Sequence, residues 1–358
     1  MTEPTVMTVR GPVPANELGA VLPHEHVFID LNLYVDELSR FKELPLENAP
    51  VDLSTLKTVR NDPYGNRDNC VLDDPELAIA ELMEFKEAGG GTVVDLTNAD
   101  LGPQPEKLVE VSERTGLNIV LGNGHYISFG MPKELSGWDL KTIEDRLVDE
   151  IENGFGDTGI RPGIIGEIGT TMPMHADEEK VLRAAARAHH RTGLTITVHV
   201  HPPTRGGFEV LDILEQEEVD LTRVVLGHVD TALAHDDIDI NQAIDYHKAL
   251  AEKGPYIEYD LCGNSNLFSD GAHSWWFPSD RERVKGLAEL IGAGFGEQLL
   301  ISQDVGHKHY LSSYGGWGFA HVLTLFKSMM ERGGISPEWH DQITRKNPRR
   351  MLTGIAAD

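Results

Sequence analysis

The chain has 358 residues, of which 40% are hydrophobic and 25% charged, and it carries a formal net charge of −27 at pH 7. That length and balance suit a globular protein with a large core, while the negative field argues against non-specific nucleic-acid binding and against an anionic membrane surface. Two cysteines, Cys70 and Cys262, are too few for a disulfide framework or a four-cysteine zinc site, and no signal-like start or apolar run of about eighteen residues is present, so the expected setting is cytoplasmic and reduced, with no membrane span.

Short apolar runs alternate with longer amphipathic stretches. Residues 19–29 (GAVLPHEHVFI) read as a first strand, followed by a polar insertion over 31–72. A helix over 73–90 opens with acidic cap residues and ends in glycine. Strand 92–97, helix 105–116, strand 118–123, helix 139–154, strand 163–169 and helix 177–193 follow. Then come strand 194–200, helix 207–219, strand 223–229, helix 240–254, strand 256–261, helix 280–294 and strand 298–304. Helices over 318–334 and 336–352 close the chain. Several strands are continuously apolar, as in a sheet covered on both faces.

Eight strands alternating with helices predict a parallel sheet, either doubly wound or closed into a barrel. The strand number favours the barrel, and no GxGxxG follows the first strand, which weighs against a dinucleotide-binding sheet. The expected fold is therefore a TIM (β/α)₈ barrel, one domain over 1–358, with an insertion after strand 1. In such a barrel the insertion lies at the C-terminal face, where it would cover an active site.

His24 and His26 stand at positions i and i+2 of the first strand, so both imidazoles point to one face. Other strand ends also carry ligand-type residues: Glu167 in the fourth, His199 in the fifth, His228 in the sixth and Asp304 in the eighth. Each lies in or just after an apolar run, where an unpaired charge or imidazole is costly. Six such residues around one axis call for one cation or two. Four imidazoles and two carboxylates suit zinc, manganese, iron or cobalt better than calcium or magnesium, and six ligands exceed what one tetrahedral zinc takes. Two divalent ions are expected, zinc first, with manganese, cobalt and iron as alternatives. Glu167 is the candidate bridge, since a carboxylate offers two oxygens.

The segments ELGAVLPHEH (17–26), DNCVLDDPELAIAELMEFKEAGGGTVVDLT (68–97), GIIGEIGT (163–170), VVLGHVD (224–230), ISQDV (301–305), YGGWGFAHVL (314–323) and NPRRML (347–352) run almost end to end. In this order the sequence resembles the phosphotriesterase family of the amidohydrolase superfamily. The resemblance implies that His24, His26 and Asp304 hold the more buried ion and that His199 and His228 hold the more exposed one. The founding phosphotriesterases bridge their metals with a carbamylated lysine. The matching position here is Glu167, so the chain looks like the glutamate-bridged, phosphotriesterase-related subgroup, which includes amidases of N-acyl-amino sulfonates. A homodimer is also implied.

The reaction these residues suggest is hydrolysis of a small molecule by a hydroxide bridging the two ions, with Asp304 as the catalytic proton acceptor. A carboxylic ester such as a lactone is the first choice of substrate. An N-acyl amide comes next, then a phosphotriester or phosphoester. A non-catalytic metal-binding protein is the alternative from another class. Tyr126 is a candidate substrate-binding residue near the metals, and Arg205 a candidate for an anionic substrate group, with a surface ion pair as its competing role. Trp275, Trp276 and Phe277 read as an apolar pocket wall or a dimer contact. His201 is expected at the pocket rim, and His307 and His309 follow Asp304 in the last loop as candidates for substrate contact, with no role there as the competing reading. His175, His189, His190, His235, His247 and His340 show no ligand spacing.

Overall fold

The computed structural model describes residues 3–38, 46–269 and 274–355. Among these, β1 (Ala20–Glu25), β2 (Gly90–Asp95), β3 (Asn118–Asn123), β4 (Ile164–Gly169), β5 (Ile196–His199), β6 (Val224–Gly227), β7 (Tyr256–Tyr259) and β8 (Leu299–Ile301) lie side by side in chain order. Every paired neighbour is parallel. Outside them run α1 (Pro75–Glu87), α2 (Pro105–Thr115), α3 (Leu140–Asn153), α4 (Ala176–Thr192), α5 (Gly207–Gln216), α6 (Ile240–Ala251), α7 (Asp280–Gly292) and α8 (Leu325–Arg332). This is the TIM barrel that the alternation predicts.

The barrel closes between β1 and β8 through side chains. The His24 N–H donates to Ser302 Oγ at 3.3 Å. The Glu25 carboxylate accepts from Ser302 Oγ, from the Gln303 N–H and from the Val305 N–H at 2.7 to 2.9 Å. These bonds fix the turn that carries Asp304, so the eighth strand ends at Ile301 rather than at the predicted residue 304.

Two apolar layers hold the strands. One lies between barrel and helices, and includes Leu22, Val93, Ile119, Ile165, Val198, Leu226, Ile257 and Leu299. The other fills the N-terminal end of the barrel, with Val21, Val94, Val120, Ile164, Val225, Tyr256 and Leu300 packed on Leu18, Met351 and Leu352. A short N-terminal hairpin, Thr5–Thr8 paired with Gly11–Pro14, adds Val6 to that floor.

Some local expectations shift. α4 starts one residue early, capped by His175 and Glu178 in a reciprocal box. The predicted helix over 318–334 is shortened: Gly318 takes a left-handed conformation (φ 62°), His321–Leu323 forms a 3-10 turn, and only Leu325–Arg332 is α-helical. Within the insertion, Ile29–Asp30 pairs with Val71–Leu72, and Leu31 and Tyr64 reach over the C-terminal mouth. Residues 39–45 of the insertion lie outside the described residues. Among the described residues, no helix is long and apolar enough to cross a membrane.

Candidate metal centre

All six sequence-predicted ligands meet at the C-terminal end of the barrel. His24 is in β1 and His26 follows it directly; Glu167 is in β4 and His199 ends β5. His228 follows β6, and Asp304 sits in the turn after β8. Both of these last two have positive φ, 60° and 50°, which non-glycine residues seldom adopt. Such turns aim a side chain back across the strand ends, and local backbone cost of this kind concentrates at functional sites.

Glu167 is the hub. Its Oε1 lies 3.4 Å from His26 Nε2. Its Oε2 lies 3.6 Å from His24 Nε2, 3.5 Å from His228 Nε2 and 3.3 Å from His199 Nδ1. Asp304 Oδ1 is 3.3 Å from His26 Nε2 and 3.8 Å from His24 Nε2. Two overlapping groups result, His24–His26–Glu167 and Glu167–His199–His228, with Asp304 closing on His24 and His228.

Outer hydrogen bonds hold one ring nitrogen of His24, His26 and His228 and leave the other facing the centre. Thr97 Oγ1 donates to the Phe28 carbonyl, so it accepts from His26 Nδ1–H at 2.9 Å and leaves Nε2 bare toward the centre. Asp260 accepts from His228 Nδ1–H at 2.9 Å and from the His228 N–H at 2.8 Å. His24 Nδ1 is held by Glu258 at 3.2 Å and Asp260 at 3.3 Å. His24 Nε2 and Glu167 Oε2 face each other, buried and without a hydrogen-bond partner. An imidazole held at one nitrogen by a carboxylate, with the other pointing inward, is the usual arrangement of a metal ligand. The donor set and its orphaned inner atoms therefore fit a pair of divalent cations.

The electrostatics describe a site of concentrated, mutually compensating charge. Burial disfavours the charged carboxylate of Glu167, yet the surrounding imidazoles hold its pKa well below the usual range. Burial likewise disfavours imidazolium at His24 and His228, but Asp260 above all overrides it and raises both. His199 is lowered, by burial and by neighbouring His228. Negative charge concentrated in a water-poor site needs positive charge there, and cations can supply it.

Sequence reading missed Glu258 and Asp260, having taken YIEYDL only as a buried strand. The signal was there: two carboxylates at i and i+2 within an apolar run, fully buried. Gly227 makes room for them, since a Cβ at that position would stand 2.9 Å from Asp260 Oδ2. Glu25 was also overlooked, hidden between two conspicuous histidines.

A cavity of about 210 Å³ opens over the centre. Tyr126 lines it, with its hydroxyl 3.3 Å from His199 Nδ1. His201 and His307 line it as well, as do Trp275 and Phe277. Trp276 points outward, and His309 is held away by Asn69. Arg205 is not brought to the pocket: its guanidinium grips Asp237 through two bonds of 2.9 and 2.7 Å at the surface. The ion pair, not an anionic substrate group, is what the structure gives it.

The comparisons agree with this architecture. The model of the phosphotriesterase family matches residues 4–352. The N-acetyltaurine hydrolase of Dictyostelium discoideum is 32% identical over 373 residues, spanning 98% of this chain and 98% of its own. The crystal structure of a resiniferatoxin-binding protein from Rhodobacter sphaeroides superimposes with a TM-score of 0.91 at 34% identity, over 98% of this chain and 95% of that one. That of a phosphotriesterase homology protein from Escherichia coli, with phosphate in its active site, gives a TM-score of 0.75 at 28% identity, over 94% and 99%.

Proposed function

The chain belongs to the phosphotriesterase family and is a metal-dependent hydrolase, and from that premise we propose that it hydrolyses an N-acyl amide at a centre of two divalent ions sharing Glu167. The observation that carries the reading is the position of that carboxylate, with Oε1 against His26 and Oε2 against His199 and His228. His24, His26 and Asp304 would hold one ion and His199 and His228 the other, zinc before manganese, cobalt or iron. The amide takes the place of the lactone as first choice because a relative of full-length similarity is an N-acetyltaurine hydrolase.

Divalent ions bound there supply Lewis acidity, which makes water a nucleophile near neutral pH and draws electron density from the scissile carbonyl. The protein's own groups do the rest. Burial works against an ionised Asp304, but His26 and the other nearby imidazoles hold it below the usual carboxylate range, so it is ready to accept a proton. Its side chain is 21% exposed, while those of Glu167, His24 and His228 are at most 3% exposed. Asp304 can therefore both take the proton of attacking water and pass it toward the departing nitrogen, which an amide requires because a free amide anion leaves poorly. Burial keeps the Tyr126 phenol protonated, so its hydroxyl can donate to a substrate oxygen beside His199.

The test is a kcat/KM panel on protein reconstituted with zinc, manganese or cobalt, using N-acyl amides, lactones and phosphoesters. The reading expects the best amide to lead. A lactone or phosphotriester turned over at least tenfold faster than every amide would reverse it.

A further inference from the structure

The cavity has two unlike faces. One is the ligand cluster. The other is an aromatic wall assembled from three separate loops: Tyr64 from the insertion, Phe268, Trp275 and Phe277 after β7, and Tyr310 after β8. The rings support one another. Phe268 stacks on Phe277 with centroids 4.4 Å apart and planes at 26°, and on Trp275 at 6.3 Å and 28°. Tyr64 meets Phe268 edge-on at 6.2 Å, and meets His307 at 5.1 Å. An aromatic wall of this kind offers faces and edges to another ring in offset or T-shaped contact.

Among the described residues, basic side chains near the mouth are engaged elsewhere. Arg205 is bound to Asp237, Lys308 to Asp68 at 2.6 Å, and Arg60 donates to the Gly315 carbonyl. Among the described residues, the cavity lining contains neither lysine nor arginine. The wall's polar atoms are the Tyr64 and Tyr310 hydroxyls, Trp275 Nε1 and His307 Nε2, and the two nitrogens are buried and without a hydrogen-bond partner. Burial pushes the His307 pKa down to about 4. Among the described residues, an anionic group lying against this wall would meet no lysine or arginine there, a costly arrangement.

We propose that this wall selects substrates whose end remote from the scissile bond is an uncharged aromatic ring, in place of the sulfonate of N-acetyltaurine. The inference rests on the amide reading above and narrows it to a substrate class. Phe277, Trp275 and Phe268 are the specificity-determining residues.

A matched pair of probes isolates the claim. N-acetyltaurine and N-(2-phenylethyl)acetamide share the acetyl group, the amide and the two-carbon spacer, and differ only in a sulfonate or a phenyl terminus. For the full-length, metal-reconstituted enzyme the phenyl amide should have at least a tenfold higher kcat/KM. Phe277→Ala and Trp275→Leu should each shrink that ratio at least fivefold, and agreement between the two variants guards against misfolding of either one. An equal or higher kcat/KM for N-acetyltaurine overturns the proposal, as does a ratio unmoved by both substitutions. If neither amide is cleaved, the amide reading stands or falls on the wider substrate panel above, and calorimetric titration of the same two compounds decides the wall. Binding of the phenyl compound at least tenfold tighter sustains the proposal, and equal or reversed affinities overturn it.

Discussion

Along β7, Tyr256 packs into the apolar floor, Glu258 two residues on reaches His24, and Asp260 two further on holds both His24 and His228. The same inward-facing register thus passes from core to active site within five residues. At β8 the sequence is repeated, from Leu300 in the floor through Ser302, which bonds Glu25, to Asp304 in the centre. The floor excludes water and needs no partner but its neighbours. The mouth collects carboxylates and imidazoles, with His24, His26 and His228 held on their outer side and turned inward on the other. Stability and chemistry are thereby placed at opposite ends of one barrel, and loops at the mouth can change the chemistry without disturbing the floor.

That contrast can be broken most severely at Asp304. Asp304→Asn should lower kcat by roughly 10²- to 10⁴-fold, the scale of a lost general acid–base group, while the circular dichroism spectrum and part of the metal content persist. Wild-type turnover in that variant, with metal content measured, removes Asp304 from the reaction.

The next comparison sets the floor against the support layer just above it. Leu300→Ala should cost about 2–5 kcal/mol in urea unfolding, yet leave metal affinity near wild type in the folded fraction. Asp260→Asn should do the reverse, weakening metal binding by roughly 10- to 100-fold with a smaller loss of stability. Equal effects of the two substitutions on both measurements would erase the distinction.

A smaller effect is expected from pH. His247 donates from Nε2 to the Val229 carbonyl and accepts at Nδ1 from Tyr259 Oη, both at 2.7 Å. Burial pushes its pKa down to about 4, against about 6.5 in an unfolded chain. Between those values the unfolded chain binds a proton that the folded one does not, so stability falls as pH drops from about 6.5 toward 4 and is level above. His247→Gln should flatten part of that slope when unfolding is measured at pH 7.5, 6 and 5. An unchanged slope would assign the acid sensitivity to other groups.

The smallest effect belongs to Arg205. Arg205→Ala breaks a surface pair and should change stability by at most about 1 kcal/mol, with KM for the best substrate unaltered. A KM raised tenfold would return Arg205 to the pocket.

The barrel and the cluster of candidate ligands are legible because histidine and carboxylate are conspicuous in apolar runs, and because parity puts His24 and His26 on one face. The support layer was harder to see. Glu258 and Asp260 sit in a strand whose other residues explained themselves, and their targets lie on β1 and after β6, distant in sequence. Arg205 misled because its partner, Asp237, is 32 residues away and nothing local advertises the pair. Strand ends were overdrawn at His228 and Asp304, where the chain leaves the ladder in a left-handed turn that an apolar run does not reveal. The aromatic wall was legible only as Trp275–Trp276–Phe277, since Tyr64, Phe268 and Tyr310 join it through tertiary structure.

The central claim is that Glu167 belongs to two ligand groups at once. Metal content by plasma mass spectrometry, after chelation and calorimetric reloading with zinc, tests it directly. The account predicts two ions per wild-type chain and, for Glu167→Gln, at most one tightly bound ion. A wild-type chain that saturates at a single ion, or a Glu167→Gln variant that still binds two with unchanged affinity, would contradict it.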